Sequence, residues 1–123
     1  MIFFNARDIQ DTPKVTVHRT GRMGFSRSAE KKLMLSTDKS VLIGLLDEPG
    51  NGQVLVLKMA DTKQPEAFAV NKSGPYYYAN TRNLFDLLGE NYEDSKLIYD
   101  LIPDTADGQP IFKLKRRSIE RKK

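Results

Sequence analysis

The sequence of 123 residues contains no cysteine, and this absence removes several kinds of chemistry. Disulfide bonds, thiolate nucleophiles and cysteine-ligated zinc sites are all excluded. No apolar run approaches the roughly 20 residues that a membrane-spanning helix needs. The first ten residues also lack the long apolar core of a secretory signal peptide. We therefore expect a soluble, cytoplasmic protein without membrane contact, and the length predicts one domain that can bury a modest core unaided.

Residue patterns that are typical of catalysis are also scarce. His18 is the only histidine, and the sequence contains neither a His-Glu-x-x-His motif nor a glycine-rich phosphate loop. The acidic residues Glu90, Glu93 and Asp94 are interpreted as a solvated connection rather than a metal cage. We therefore predict a non-enzymatic protein with no catalytic residues, no cofactor and no metal site.

Positive charge is concentrated at the two ends of the chain. Residues 1–35 carry seven Lys or Arg and three acidic residues, and residues 113–123 carry seven and one. Residues 36–112 carry six basic and twelve acidic residues. This asymmetry favours a polyanionic partner that the ends contact. We interpret residues 1–112 as the domain and 113–123 as a basic tail, which is either a disordered, solvated end or a second contact for the polyanion.

Turn residues divide the first half of the chain into short elements. The alternation of polar and apolar residues from Lys14 to His18 predicts a half-buried strand. Ser26 or Ser28 can cap a short helix, because a serine hydroxyl accepts a hydrogen bond from the first turn. The other elements predicted in this half are a turn at Thr20-Gly21, a strand from Met23 to Phe25, a strand from Ser40 to Leu46, a turn over residues 49–52 and a strand from Val54 to Lys58.

The second half repeats this order of elements. Asn80 or Thr81 can cap its helix, and Gly89 can end it. The predicted elements are a strand from Ala67 to Val70, a turn over residues 73–75, a strand from Tyr76 to Tyr78, a helix from Arg82 to Leu88, and strands from Leu97 to Ile102 and from Ile111 to Leu114.

The two halves match as an internal repeat. An ungapped superposition places Gly21 on Gly74, Ser26 on Ala79 and Leu35 on Leu88. One unit of this size buries little core alone, so two units must pack together. We predict an α+β, β-rich domain, in which two ββαββ repeats, at about 14–59 and 66–114, form one barrel-like or sheet core with two short helices.

The segment TGRMGFSRSAEKKLMLSTDKSVLIGLL resembles the AbrB/MazE/SpoVT-like swapped-hairpin family. Gly21-Arg22, Phe25, Leu33, Leu35 and residues 41–43 stand at the spacing of that family's pattern. The resemblance covers about Val15 to Lys58, and the second half resembles the family as a degenerate copy. It implies a tandem, MraZ-type arrangement in which two ββαββ units exchange hairpins. It also implies DNA binding by arginines and lysines near the first turn and helix.

Two departures from the family pattern decide where such binding is expected. Ser26 replaces the usual proline after the second strand, although a serine can also cap the start of a helix. Pro75 replaces the arginine after the glycine of the second half. The first unit must therefore carry the contacts, while the second serves as scaffold.

The leading hypothesis is a small homodimeric DNA-binding protein that acts as a transcriptional regulator. In this hypothesis the basic residues of the first unit contact phosphates, and the tail adds non-specific affinity for DNA. The alternative is that the basic residues of the first unit form a solvated face. The predicted nucleic-acid-binding residues are Arg19, Arg22, Arg27, Lys31, Lys32, Lys115, Arg116 and Arg117.

Two other functions stay open. Tyr76 and Tyr78 share one face of a predicted strand, where they either pack in the sheet or stack on bases. In the second case the protein binds single-stranded DNA or RNA. The other alternative is a protein-interaction module, such as an antitoxin-like, phage or mobile-element accessory protein, whose basic ends meet an acidic protein.

Overall fold

The computed structural model describes residues 1, 3, 13–50 and 52–117, and these form a β-rich fold with nine antiparallel strands and two short helices. The helices are α1 (Arg27–Leu33) and α2 (Arg82–Leu87). The strands are β1 (Lys14–Val17), β2 (Arg22–Phe25), β3 (Ser40–Glu48), β4 (Gly52–Ala60), β5 (Phe68–Ala69), β6 (Asn71–Ser73), β7 (Tyr76–Asn80), β8 (Leu97–Ala106) and β9 (Gln109–Arg116). Within the described ranges, neither helix is long and apolar enough to cross a membrane.

All nine strands belong to one sheet, which is nearly closed and barrel-like. The order is β5-β3-β4-β9-β8-β1-β2-β7-β6. Hairpins from the two halves of the chain therefore alternate, because β9-β8 lies between β3-β4 and β1-β2. The edge strands β5 and β6 are separated in sequence by Val70 alone, so the two edges of the sheet come together.

The two long hairpins extend further than the apolar pattern predicts. Strand β3 pairs with β4 from Ser40 to Glu48, and β8 pairs with β9 as far as Ala106 and Gln109. Asp107 and Gly108 then form the turn, both with positive φ, as a two-residue hairpin turn of the primed type requires. Backbone hydrogen bonds continue past the apolar residues, because pairing does not require apolar side chains.

Two segments differ between the sequence prediction and the structure. The strand predicted from Ala67 to Val70 is the shorter strand β5, and the unpredicted strand β6 follows it on the opposite edge of the sheet. Val70 between them is buried, and its N–H donates to the carbonyl of Lys39. Residues 113–116, which the charge pattern assigns to the tail, lie in β9, so the tail expectation applies only beyond the strand.

The N-caps of the two helices do not align in the ungapped superposition of the two halves. Ser26 is the N-cap of α1, and its hydroxyl accepts a hydrogen bond from the N–H of Ala29 at 3.2 Å. The corresponding N-cap of α2 is Thr81, two residues beyond the Ala79 that the superposition pairs with Ser26. The reason is local: Pro75 stands between Gly74 and β7, whereas β2 starts directly after Gly21, and β7 is one residue longer than β2.

One hydrophobic core lies inside the curved sheet. Alternate residues of β1 and β2 point into it, and both helices contribute apolar side chains. The core includes Val15, Val17, Met23, Phe25, Ala29, Leu33, Val41, Leu57, Phe85, Leu97, Tyr99, Leu101 and Leu114.

Candidate nucleic-acid interface

The outer face of β1, β2 and β7 forms a groove of about 430 Å³. Thr16, Gly24 and Tyr78 follow one another across these three strands, since Gly24 pairs with Thr16 on one side and with Tyr78 on the other. Their sequence neighbours on β1 and β2 point into the core, so these residues face outward. Arg22, His18, Tyr76, Tyr77, Phe25, Ser26 and Ser73 complete the lining.

Arg22 and the two predicted stacking tyrosines meet in this groove. The guanidinium carbon of Arg22 lies 4.4 Å from the centroid of the Tyr78 ring, a cation–π contact. The side chain of Tyr76 is 58% exposed. The groove therefore offers a positive charge and an open aromatic face side by side, which sequence spacing alone did not indicate.

His18 lies over Gly24 at the edge of the groove. A Cβ atom added to Gly24 would lie 2.7 Å from Nε2 of His18, so the glycine leaves room for the imidazole. Partial burial of the imidazole lowers the pKa of His18 below its ordinary value, and the positive charge of Lys96 lowers it further. The ring is therefore neutral at physiological pH and can both donate and accept a hydrogen bond.

The predicted basic residues of the first unit are available for a partner. Arg22, Arg27, Lys31 and Lys32 are exposed, as is Arg19 in the turn after β1. None of the five forms an ion pair within the part of the chain that the structure describes. Arg27 opens α1 directly after Ser26 of the groove, and Lys31 follows one turn later on the same side of the helix.

The predicted basic residues of the C-terminal segment are in a different situation. Nη1 of Arg116 lies 2.9 Å from Oε2 of Glu90, and Nη2 of Arg117 lies 2.7 Å from Oδ1 of Asp100. Lys115 is exposed on β9. The sequence grouped these three residues with the first unit, but they do not line the groove. Residues 118–123, the rest of the predicted tail, lie outside the described residues.

The turn that carries Arg19 and Arg22 is anchored on the second half of the chain. Oγ1 of Thr81 donates a 2.8 Å hydrogen bond to the carbonyl oxygen of Gly21, and both residues are buried. Gly21 has φ of +85°, and a Cβ atom there would lie 2.6 Å from the Cβ of Arg82. This close approach holds the turn against the start of α2.

Of the ten residues that line the groove, sequence reasoning selected only Arg22, Tyr76 and Tyr78 as site residues. The seven that it missed include His18, which was considered only for catalysis, and Thr16 and Gly24. The available signal was the period of two along β1 and β2, which puts Thr16 with His18, and Gly24 with Arg22.

Among the described residues, no group of three or more His, Asp or Glu is arranged to hold a metal ion. No protein-family model matches the chain, and neither the curated proteins nor the solved structures include one with significant similarity to it.

Proposed function

We propose that the protein binds nucleic acid, with DNA as the favoured partner, through the outer face of β1 and β2 and the exposed side of α1. Arg19, Arg22 and Arg27 hold phosphates near the groove, and Lys31 and Lys32 extend the contact along the helix. Arginine suits this role, because its guanidinium group gives two parallel hydrogen bonds to a phosphate.

The observation that carries the proposal is the contrast between the two groups of basic residues. In the first unit five exposed basic side chains lack an acidic partner in the described structure, whereas two of the three in the C-terminal segment, Arg116 and Arg117, each contact a carboxylate. A charged side chain without an internal partner keeps its full electrostatic attraction for a polyanion.

The strand order supports the finer part of the proposal, a pair of ββαββ repeats with exchanged hairpins. If β1 corresponds to β5 and β6 together, and β2, β3 and β4 correspond to β7, β8 and β9, exchanging the two sets reproduces the same neighbours around the sheet. In this arrangement β2 pairs with β7, and β4 with β9, across an approximate twofold axis. A shared ancestry of the halves accounts for this symmetry more simply than independent assembly does.

Fluorescence anisotropy of a labelled DNA duplex over a salt series tests the proposal. Affinity is expected to fall steeply with salt, with a slope of about −0.9 per neutralised phosphate. Arg22→Ala is expected to weaken binding and to reduce the slope by about 1. The double variant Arg22→Ala/Lys31→Ala is expected to lose binding at near-physiological salt.

Lys63→Ala is the matched control, because it removes one exposed positive charge from the loop between β4 and β5. It is expected to bind like the wild type. Equal losses in Arg22→Ala and Lys63→Ala would indicate attraction by net charge alone and would contradict a defined face. No binding of the wild type to any nucleic acid would reject the proposal and leave an acidic protein as the partner to seek.

Single-stranded DNA or RNA is a second candidate, and the exposed Tyr76 beside the Arg22–Tyr78 contact favours it. Aromatic side chains next to positive charge are typical of single-strand binders. This function predicts tighter binding to a single strand than to the duplex, and loss of that preference in Tyr76→Ala. Tighter binding to the duplex, unchanged in Tyr76→Ala, would instead support contacts to phosphates alone.

A further inference from the structure

We propose that the groove lined by His18, Gly24 and Tyr76 is a binding site for one unpaired nucleobase, stacked on the Tyr76 ring, with Arg22 and Arg19 holding the adjoining phosphates. This inference rests on the proposed function, since it requires that the protein binds nucleic acid. It adds a defined position for the base and assigns roles to His18 and Gly24.

Gly24 contributes no side chain to the groove, and the imidazole of His18 occupies the space above it. The residues beside Gly24 in the sheet, Thr16 and Tyr78, both face outward. The missing side chain therefore leaves space for the imidazole within the groove. The groove volume of about 430 Å³ lies within the range of roughly 300–1,000 Å³ that is usual for small-molecule sites.

Planar groups from three neighbouring segments line this groove. The imidazole of His18 comes from the residue directly after β1, the guanidinium of Arg22 from β2, and the phenol rings of Tyr76 and Tyr78 from β7. One face of Tyr78 is already covered by Arg22, so the open ring of Tyr76 is the free stacking surface. Every nucleobase has a π-face, so stacking here needs no particular sequence.

Polar groups at the rim match the edge of a base and its phosphates. Thr16, Ser26 and Ser73 supply hydroxyl groups to the lining, and His18 supplies ring nitrogens. No carboxylate belongs to the lining among the described residues, whereas Arg22 does. This charge complementarity favours a nucleotide over a neutral aromatic ligand.

Substitution of Gly24 offers a way to change the shape of the site without changing its charge. Because an added Cβ atom would lie 2.7 Å from Nε2 of His18, Gly24→Ala must displace the imidazole. Gly44→Ala is a matched control in β3, where the nearest atom to an added Cβ, Cγ2 of Val56, lies 3.9 Å away. Neither glycine requires a positive φ.

The decisive experiment compares labelled oligothymidylate with an abasic strand of the same length and backbone charge. The wild type is expected to bind the normal strand about 5- to 150-fold more tightly. Equal binding of the two strands would overturn the base site, while salt-dependent binding to both would leave the proposed function intact. Absence of binding to either strand and to the duplex would reject both. A parallel binding measurement with oligouridylate shows whether the site prefers DNA or RNA.

Two variants tie this difference to the groove. Tyr76→Ala and Gly24→Ala are each expected to bring the ratio between normal and abasic strands close to one, with the salt slope unchanged. Gly44→Ala is expected to keep the ratio of the wild type. Tyr76→Ala removes an exposed ring and leaves the core intact. It therefore tests the base site even if Gly24→Ala folds poorly. A wild-type ratio in Tyr76→Ala would overturn the proposal.

Discussion

The hydroxyl of Thr81 donates a hydrogen bond to the carbonyl oxygen of Gly21 across sixty residues of sequence. Thr81 stands at the start of α2, where its side chain makes no capping hydrogen bond to the helix. It instead connects the second helix to the turn between β1 and β2, the turn that presents the basic residues. One interaction between the two halves of the chain thus supports both the fold and the candidate interface.

Replacement of Thr81 by alanine is expected to destabilise the protein by about 1–3 kcal/mol, because the buried carbonyl of Gly21 loses its donor. Urea denaturation measures the free energy of unfolding. Thr81→Ser keeps the hydroxyl and serves as the control for the lost methyl group. Equal stability of the alanine and serine variants would show that the hydrogen bond contributes nothing.

Gly21→Ala is expected to destabilise the protein more than Gly50→Ala. The two glycines have nearly the same φ, +85° and +84°, so the backbone strain that alanine introduces is similar. Only Gly21 has another segment close by, since an added Cβ atom would lie 2.6 Å from Cβ of Arg82, whereas Gly50 has open space. Thermal unfolding of both variants measures the difference. Equal midpoints would mean that the turn can move away from α2 without loss.

The pKa of His18 is expected to lie below 6.5 in the folded protein, because burial and then the charge of Lys96 disfavour the imidazolium. The unfolded state therefore binds more protons between the two pKa values, so stability should fall as the pH drops through that window. NMR titration of this single imidazole checks the pKa, and urea midpoints from about pH 8 to pH 5 check the linkage.

His18→Gln lacks the titrating group and should lose this component of the pH dependence. Lys96→Gln is expected to raise the pKa of His18, since it removes the second cause. A pKa at or above 6.5 in the wild-type protein would contradict the environment that the structure gives to the ring.

Arg116→Ala is expected to reduce affinity for nucleic acid less than Arg22→Ala does. Arg116 is already paired with Glu90 at 2.9 Å, whereas the guanidinium of Arg22 lies over the ring of Tyr78 and has no ion-pair partner among the described residues. Glu90→Gln should then strengthen binding, because it releases Arg116. Anisotropy at one fixed salt concentration measures all three variants. A larger loss in Arg116→Ala than in Arg22→Ala would move the interface to β9.

The candidate site was predictable only in its parts. Arg22, Tyr76 and Tyr78 were each selected from the sequence, but nothing in it indicated that they share one groove. Their meeting depends on β2 pairing with β7, a contact between the two halves of the chain. The sequence also did not indicate that Arg116 forms an ion pair whereas Arg22 does not, because the pair with Glu90 depends on which strands become neighbours.

The sequence by itself determined the local structure of this protein. Its turns, both short helices, the cap at Ser26 and most strands follow from residue propensities and from spacing over a few neighbours. Only the tertiary structure decided the alternation of hairpins, the near closure of the sheet and the face on which the basic and aromatic residues meet. The physical reason is that strand pairing joins residues far apart in sequence. The choice among possible partners depends on the whole core, which no single segment encodes.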